Sequence, residues 1–235
     1  THTPPTGWHI DNSKMPPRQG MTEWQGWSFT TLEFWTGADS QDRGRFDLSG
    51  GVLAVADPDE WDDLNTPSSS GRFDSTLISP PVPVRAHQVL YLSFDSHYRQ
   101  EEPQEAQVLV SFDEQSDSTL LHYSSNSASD NKGQDVQNKK VVLPLPVPEK
   151  DGNMVLKWRL FNAGNNWFWA IDNVKISDEK PLIPIDPNEA PAPDPILAKG
   201  PFVQFLSPHS VRILWETIKP GSSIVEYGIS QLGSR

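Results

Sequence analysis

The 235 residues contain no cysteine. That excludes disulfide staples, thiolate zinc sites and cysteine nucleophiles together. Basic residues are scarce: 19 Lys and Arg stand against 31 Asp and Glu, a formal net charge of -12. Nucleic acid or an anionic membrane as the main partner needs a clustered positive surface, which this balance does not supply. No run of about 18 apolar residues occurs, so no membrane span is expected. The opening THTPPTGW has no basic stretch followed by an apolar one, and so no signal-peptide pattern. Sustained helical periodicity is missing too: no stretch repeats apolar residues at i, i+3, i+4 and i+7 for long. The strings G-x-S-x-G, H-E-x-x-H and G-x-x-x-x-G-K-[ST] are absent. Glu101, Glu102 and Glu114 form no recognisable pattern of paired glycosidase carboxylates. Catalysis by this chain is therefore not expected.

Proline and tryptophan are plentiful, at 22 and 9 residues. Short runs with period-two alternation, rich in β-branched and aromatic residues, cover Val52–Ala56, Val89–Asp95, Val108–Asp113, Thr119–Tyr123, Lys140–Leu145, Met154–Phe161 and Trp167–Ile176. Gly, Pro, Ser, Asn and Asp clusters separate them. This spacing predicts an all-β fold, an antiparallel sandwich with apolar and polar faces alternating. Ser124–Gln137 is small and polar and reads as a long loop, mobile or disordered. From Asp178 to Ala198 the chain carries Pro181, Pro184, Pro187, Pro191, Pro193 and Pro195. Proline removes ladder donors, so this stretch is an extended linker or a strap along the sandwich surface. Strands are expected again at Phe202–Leu206, Ser210–Glu216 and Ser223–Gly228. Three strands hardly make a stable module, so residues 199–235 read as the opening of a second β domain. The expected organisation is a sandwich over 1–178, a Pro-rich linker over 179–198 and an incomplete β segment over 199–235.

Two segments carry resemblances. Trp169-Ala-Ile-Asp-Asn-Val-Lys-Ile-Ser177, preceded by FNAGNNWF, is similar to the last strand of MAM-like jelly-roll domains. Gly7-Trp8 and Thr22–Trp35 resemble the opening of such modules. Gly200–Gly228, with Ser207-Pro208, Val211–Trp215, Pro220-Gly221 and Val225–Gly228, resembles the fibronectin type III-like domain of purple acid phosphatases and related calcineurin-like metallophosphoesterases. Together these resemblances imply a secreted, periplasmic or extracellular protein. They imply a jelly-roll accessory region, followed by the truncated start of the fibronectin-like domain of a metallophosphoesterase parent. The strings G-D-x-x-D, G-N-H-E and G-H-x-H of that parent do not occur here.

Two constellations remain. Asp57, Asp59, Glu60, Asp62 and Asp63 crowd the segment after Val52–Ala56. Carboxylates this close repel unless a cation or protons compensate, and hard cations take oxygen ligands from flexible loops. Jelly-roll relatives imply one structural calcium, held here by Asp57, Asp59, Asp63 and Asp172. The alternative is a solvated acidic turn with Asp172 capping backbone amides. Aromatic rings left exposed can stack on sugar rings. Trp24, Trp35 and Trp167, flanked by Asn162, Asn165 and Asn166, are the candidate platform for a polysaccharide or cell-surface glycan; core packing is the alternative for each Trp. Arg99 reads as one half of a surface ion pair. The functions that follow are a glycan-binding or domain-positioning accessory module, a ligand-free spacer, or, least supported, a hydrolase.

Overall fold

A computed structural model describes residues 3–16, 21–63, 71–113, 115–124, 136–182, 197–207 and 210–217. The chain divides into two units, Thr1–Ile183 and Pro184–Arg235. The first is a sandwich of two antiparallel sheets. One sheet runs β1 (His9–Asp11), β4 (Phe73–Ile78), β10 (Gly152–Ala163), β7 (Glu105–Phe112), β8 (Ser118–Ser124), with β5 (Val82–Val84) also paired to β10. The other runs β2 (Trp27–Thr31), β3 (Val52–Ala56), β11 (Trp169–Ser177), β6 (Tyr91–Tyr98), β9 (Val136–Pro144). No helix among the described residues is long and apolar enough to cross a membrane.

Alternation places the core. Along β10, Met154, Leu156, Trp158 and Leu160 are buried, while Val155, Lys157, Arg159 and Phe161 stay partly open. The inner face of the second sheet answers with Trp27, Phe94, Tyr98 and Trp169. Phe94 meets Trp158 edge-on at 5.8 Å, and Trp169 lies 5.7 Å from Trp27 and 6.1 Å from Tyr98. Two of the indole N–H groups are satisfied from the sheets: Trp27 Nε1 donates to Ser75 O at 3.3 Å and Trp169 Nε1 to Ser96 Oγ at 2.9 Å. Burying such rings is the main driving force of a sandwich this size.

The alternation of one apolar and one polar face does not hold for the second sheet. Its outer face is buried as well. Residues 32–50 fold across it, and Phe46, His97 and Phe168 stack there at 5.3 and 5.4 Å, with Trp35 edge-on to Phe168 at 4.8 Å. His97 Nδ1 accepts the Asn138 amide at 3.1 Å, so its proton sits on Nε2, which faces Asp42 O at 3.1 Å.

The segment Thr22–Trp35 is not one strand. It holds a single 3-10 turn (Thr22–Trp24), β2, and the start of helix α1 (Leu32–Ala38). Gly26 sits between turn and strand at φ +80, with the Asn12 side chain where a Cβ would be, so only glycine fits. The Thr31 hydroxyl caps α1 by accepting Phe34 N at 3.3 Å.

The second unit has one described hairpin, β12 (Leu197–Ser207) with β13 (Ser210–Thr217), pairing Phe202 with Leu214 and Val203 with Ile213. The expected strand at 223–228, most of the Pro-rich linker and the core of the 124–137 loop lie outside the described residues.

Candidate functional site

The acidic segment is helical at its centre: α2 spans Pro58–Asp62, with Asp57 as N-cap accepting Glu60 N at 3.3 Å and proline in the first turn. The cation that compensates these carboxylates is the guanidinium of Arg43, itself fully buried. Its Nη2 lies 3.2 Å from Asp57 Oδ2 and 3.5 Å from Asp59 Oδ2, and its Nη1 pairs with Glu60. Asp57 also accepts the Trp35 indole N–H at 2.7 Å. Burial pushes the Asp57 carboxyl up to about 6, against the opposing pull of Arg43. Burial raises Glu60 and Asp63 too, and Asp59 reinforces the rise at Asp63.

Sheet register separates the proposed calcium ligands. Trp169 pairs with Ala56 and Ile171 with Ala54, which sets Asp172 opposite Leu53. Four steps of chain, about 14 Å at a rise of about 3.4 Å each, separate that point from Asp57. Asp57 and Asp172 therefore do not share an ion. No group of three or more His, Asp or Glu residues is arranged to hold a metal among the described residues. Asp172 instead caps backbone: Oδ2 accepts Gly50 N and Oδ1 accepts Asn173 N, both at 2.7 Å. A chelator should leave the melting temperature of the protein unchanged. A fall of several degrees would reinstate a cation at Asp59 and Asp63.

The chain contains one D-x-H string, Asp95-Ser96-His97, a pattern associated with metal ligation in metallophosphoesterases. Here its groups are engaged otherwise. Asp95 pairs with Lys140 at 2.7 Å and accepts the Asn173 amide at 2.9 Å, while His97 is enclosed in the Phe46–Phe168 stack.

The expected aromatic platform does not assemble. Trp35 is enclosed by Asp57, Arg43 and Phe168, and Trp24 is buried apart from its contact with the Phe34 ring at 6.3 Å. Trp167 is half-buried, and the Arg99 guanidinium covers it at 3.5 Å from the ring centroid. Arg99 thus makes a cation–π contact and a bond to Gln41 O at 3.0 Å, rather than the expected ion pair. The asparagines serve their own loops. Asn162 Nδ2 donates to Glu105 Oε1 at 3.2 Å; buried Asn166 accepts Gly164 N at 2.7 Å and donates to Glu102 O at 3.2 Å. Asn165 is exposed.

A different surface has the shape and chemistry of a ligand groove. A depression of about 370 Å³ runs beside the edge strand β2, lined by Trp24, Phe29, Phe34 and Val52 with Ser28, Thr30 and Thr31. A second, of about 350 Å³, shares Phe29 and Val52 and continues past Trp8 and Leu77 to Ile171, Asp172, Asn173 and Val174. Apolar walls with a few polar groups are what small-molecule sites present. Phe34 and Val52 are each 60% exposed, unusual for large apolar side chains in the sandwich. Phe34 is exposed because it precedes Trp35 in α1: neighbours on a helix point about 100° apart, and Trp35 takes the inward direction. Of the six residues first considered for ligand contact, Trp24 alone lines this groove.

By sequence, no protein-family profile and no curated protein matches the chain. By structure, the chain is similar to the K1 cleaved adhesin domain of Lys-gingipain from Porphyromonas gingivalis W83, at 13% identity and TM-score 0.47, covering 74% of this chain and 91% of that one. It is also similar to TmCBM61, solved in complex with β-1,4-galactotriose, at 10% identity and TM-score 0.42, covering 74% of this chain and 90% of that one.

Proposed function

We propose that the sandwich is a non-catalytic glycan-binding module whose site is the Phe34–Val52–Phe29–Trp8 groove. The observation that carries this reading is the exposed Phe34 ring beside two apolar depressions that share Phe29 and Val52, with hydroxyl groups along one side. The C–H face of a sugar ring packs on such a surface, and its hydroxyls meet Thr30, Thr31 and the polar far end. Affinity electrophoresis against immobilised neutral polysaccharides tests it. Phe34→Ala should weaken retention about 3- to 10-fold, the value of one aromatic contact. No retardation by any polymer overturns the proposal.

In the same reading the sandwich is the accessory region of an exported metallophosphoesterase, holding a catalytic partner near its ligand. Hairpin β12–β13 supports this by forming the first two of the three strands expected at the start of a fibronectin-like domain. Sequence downstream of Arg235 in the gene should then encode G-D-x-x-D and G-N-H-E strings.

A further inference from the structure

We infer that Asp172 is the specificity-determining group of the groove, a fixed carboxylate that accepts sugar hydroxyls and turns away acidic glycans. This rests on the glycan reading of the groove and narrows it to neutral sugars. Four consecutive residues, Ile171 to Val174, line the second depression. A regular strand alternates faces and could offer only every other residue. The irregularity is visible in the register: β11 slips between Asp172 and Lys175, and Asn173 adopts φ +53. Such bulges re-aim side chains. Here the slip follows Asp172, which still pairs with Asp95, and it lets Asn173 join Ile171, Asp172 and Val174 along the rim.

The carboxylate is oriented in advance. Each oxygen accepts one backbone amide, from Gly50 and from Asn173, at 2.7 Å, which leaves each oxygen a further lone pair. Asn173 is held in turn by bonds from its Nδ2 to Leu48 O and Asp95 Oδ2. A vicinal diol can donate two hydroxyls to such a carboxylate. Asp172 is also the single residue with an ionisable side chain among the described residues that line the two depressions. A uronate carboxylate placed there meets a like charge with no cation in the lining to offset it.

The test uses β-1,4-glucan, β-1,3-glucan, β-1,4-galactan and amylose, each in its neutral form and oxidised at C6 to the uronate. The wild-type chain should retain at least one neutral polymer and bind its oxidised form at least about tenfold more weakly. Asp172→Asn should weaken the neutral polymer about tenfold and shrink the discrimination between the two forms, since bonds to a charged acceptor are the stronger ones. Equal binding of neutral and oxidised polymer by the wild type overturns the inference without needing a variant. So does an Asp172→Asn variant with unchanged neutral binding; if Phe34→Ala still weakens binding, the groove reading survives alone. A wild-type chain that binds no polymer removes both.

Discussion

Arg43→Ala should cost the sandwich about 3–5 kcal/mol, because it strands buried carboxylates without a counter-charge. The side chain is fully buried and meets Asp57, Glu60 and Asp59, and its guanidinium lies 5.7 Å from the centres of the Trp35 and Phe168 rings. A loss of that size lowers the melting temperature by roughly 6–20 °C in a domain of this length. The deficit should depend on pH. Asp57 has an ordinary value of 3.8 and is raised to about 6 in the folded protein. Between those values the folded state binds more protons than the unfolded one. The contribution of Asp57 to stability is therefore fully present below 3.8 and is lost as pH rises through about 6. Two units correspond to about 3 kcal/mol at most. Arg43 pulls this carboxyl down, so its removal moves the loss to higher pH. The Arg43→Ala deficit should be smaller at pH 5 than at pH 8 in urea melts, and Asp57→Asn in that background should recover part of it. A deficit independent of pH would mean that packing of the Arg43 stem against Trp35 and Phe168, and not charge, holds this region.

The same cluster shows what was readable from the chain and what was not. Carboxylate crowding at 57–63 announced a need for compensation, and the need is real. The compensating group lies 14 residues before Asp57, in a segment whose polarity reads as loop. Nothing in linear spacing says that Arg43 turns inward, because that depends on residues 32–50 closing over a sheet face. Strands with a bounded apolar run or a clean alternation are legible: Val52–Ala56, apolar throughout, coincides with β3, and Met154–Phe161, which alternates, lies inside β10. β4 was not. Its inward positions are Phe73, Ser75 and Leu77, and the serine breaks the apolar rhythm. Ser75 is buried because it is a bonding hub: its Oγ accepts Trp27 N at 3.2 Å and donates to Asn12 Oδ1 at 2.6 Å. For the groove, residue type misled. Tryptophan is both the natural core filler and the natural sugar-stacking ring; here the large indoles fill the core, and the exposed ring of the groove is a phenylalanine made available by a helix too short to show periodicity.

Trp169 and Trp167 stand two residues apart and should respond very differently to truncation. Trp169→Ala should cost about 3–5 kcal/mol, the usual range for removing a buried aromatic from a core. The indole is in contact with Trp27, Tyr98 and Tyr123, and its N–H is bonded to buried Ser96, so the variant leaves both a cavity and an unpaired hydroxyl acceptor. Trp167→Ala removes a half-buried ring whose face is covered by Arg99, a contact worth about 0.5–1 kcal/mol where solvent reaches it. Arg99 keeps its bond to Gln41 O in that variant. The chain before β11 has not yet entered the sheet, so alternation alone would have put both tryptophans on one face with Ile171. The closing of residues 99–104 and 162–168 against each other separates them: one indole goes between the sheets, the other against a guanidinium at the end of the sandwich. Urea denaturation of the two variants should give midpoints well apart with similar slopes. Equal losses would mean that Trp167 is a core residue, and that the Arg99 contact is an ornament on a packed ring.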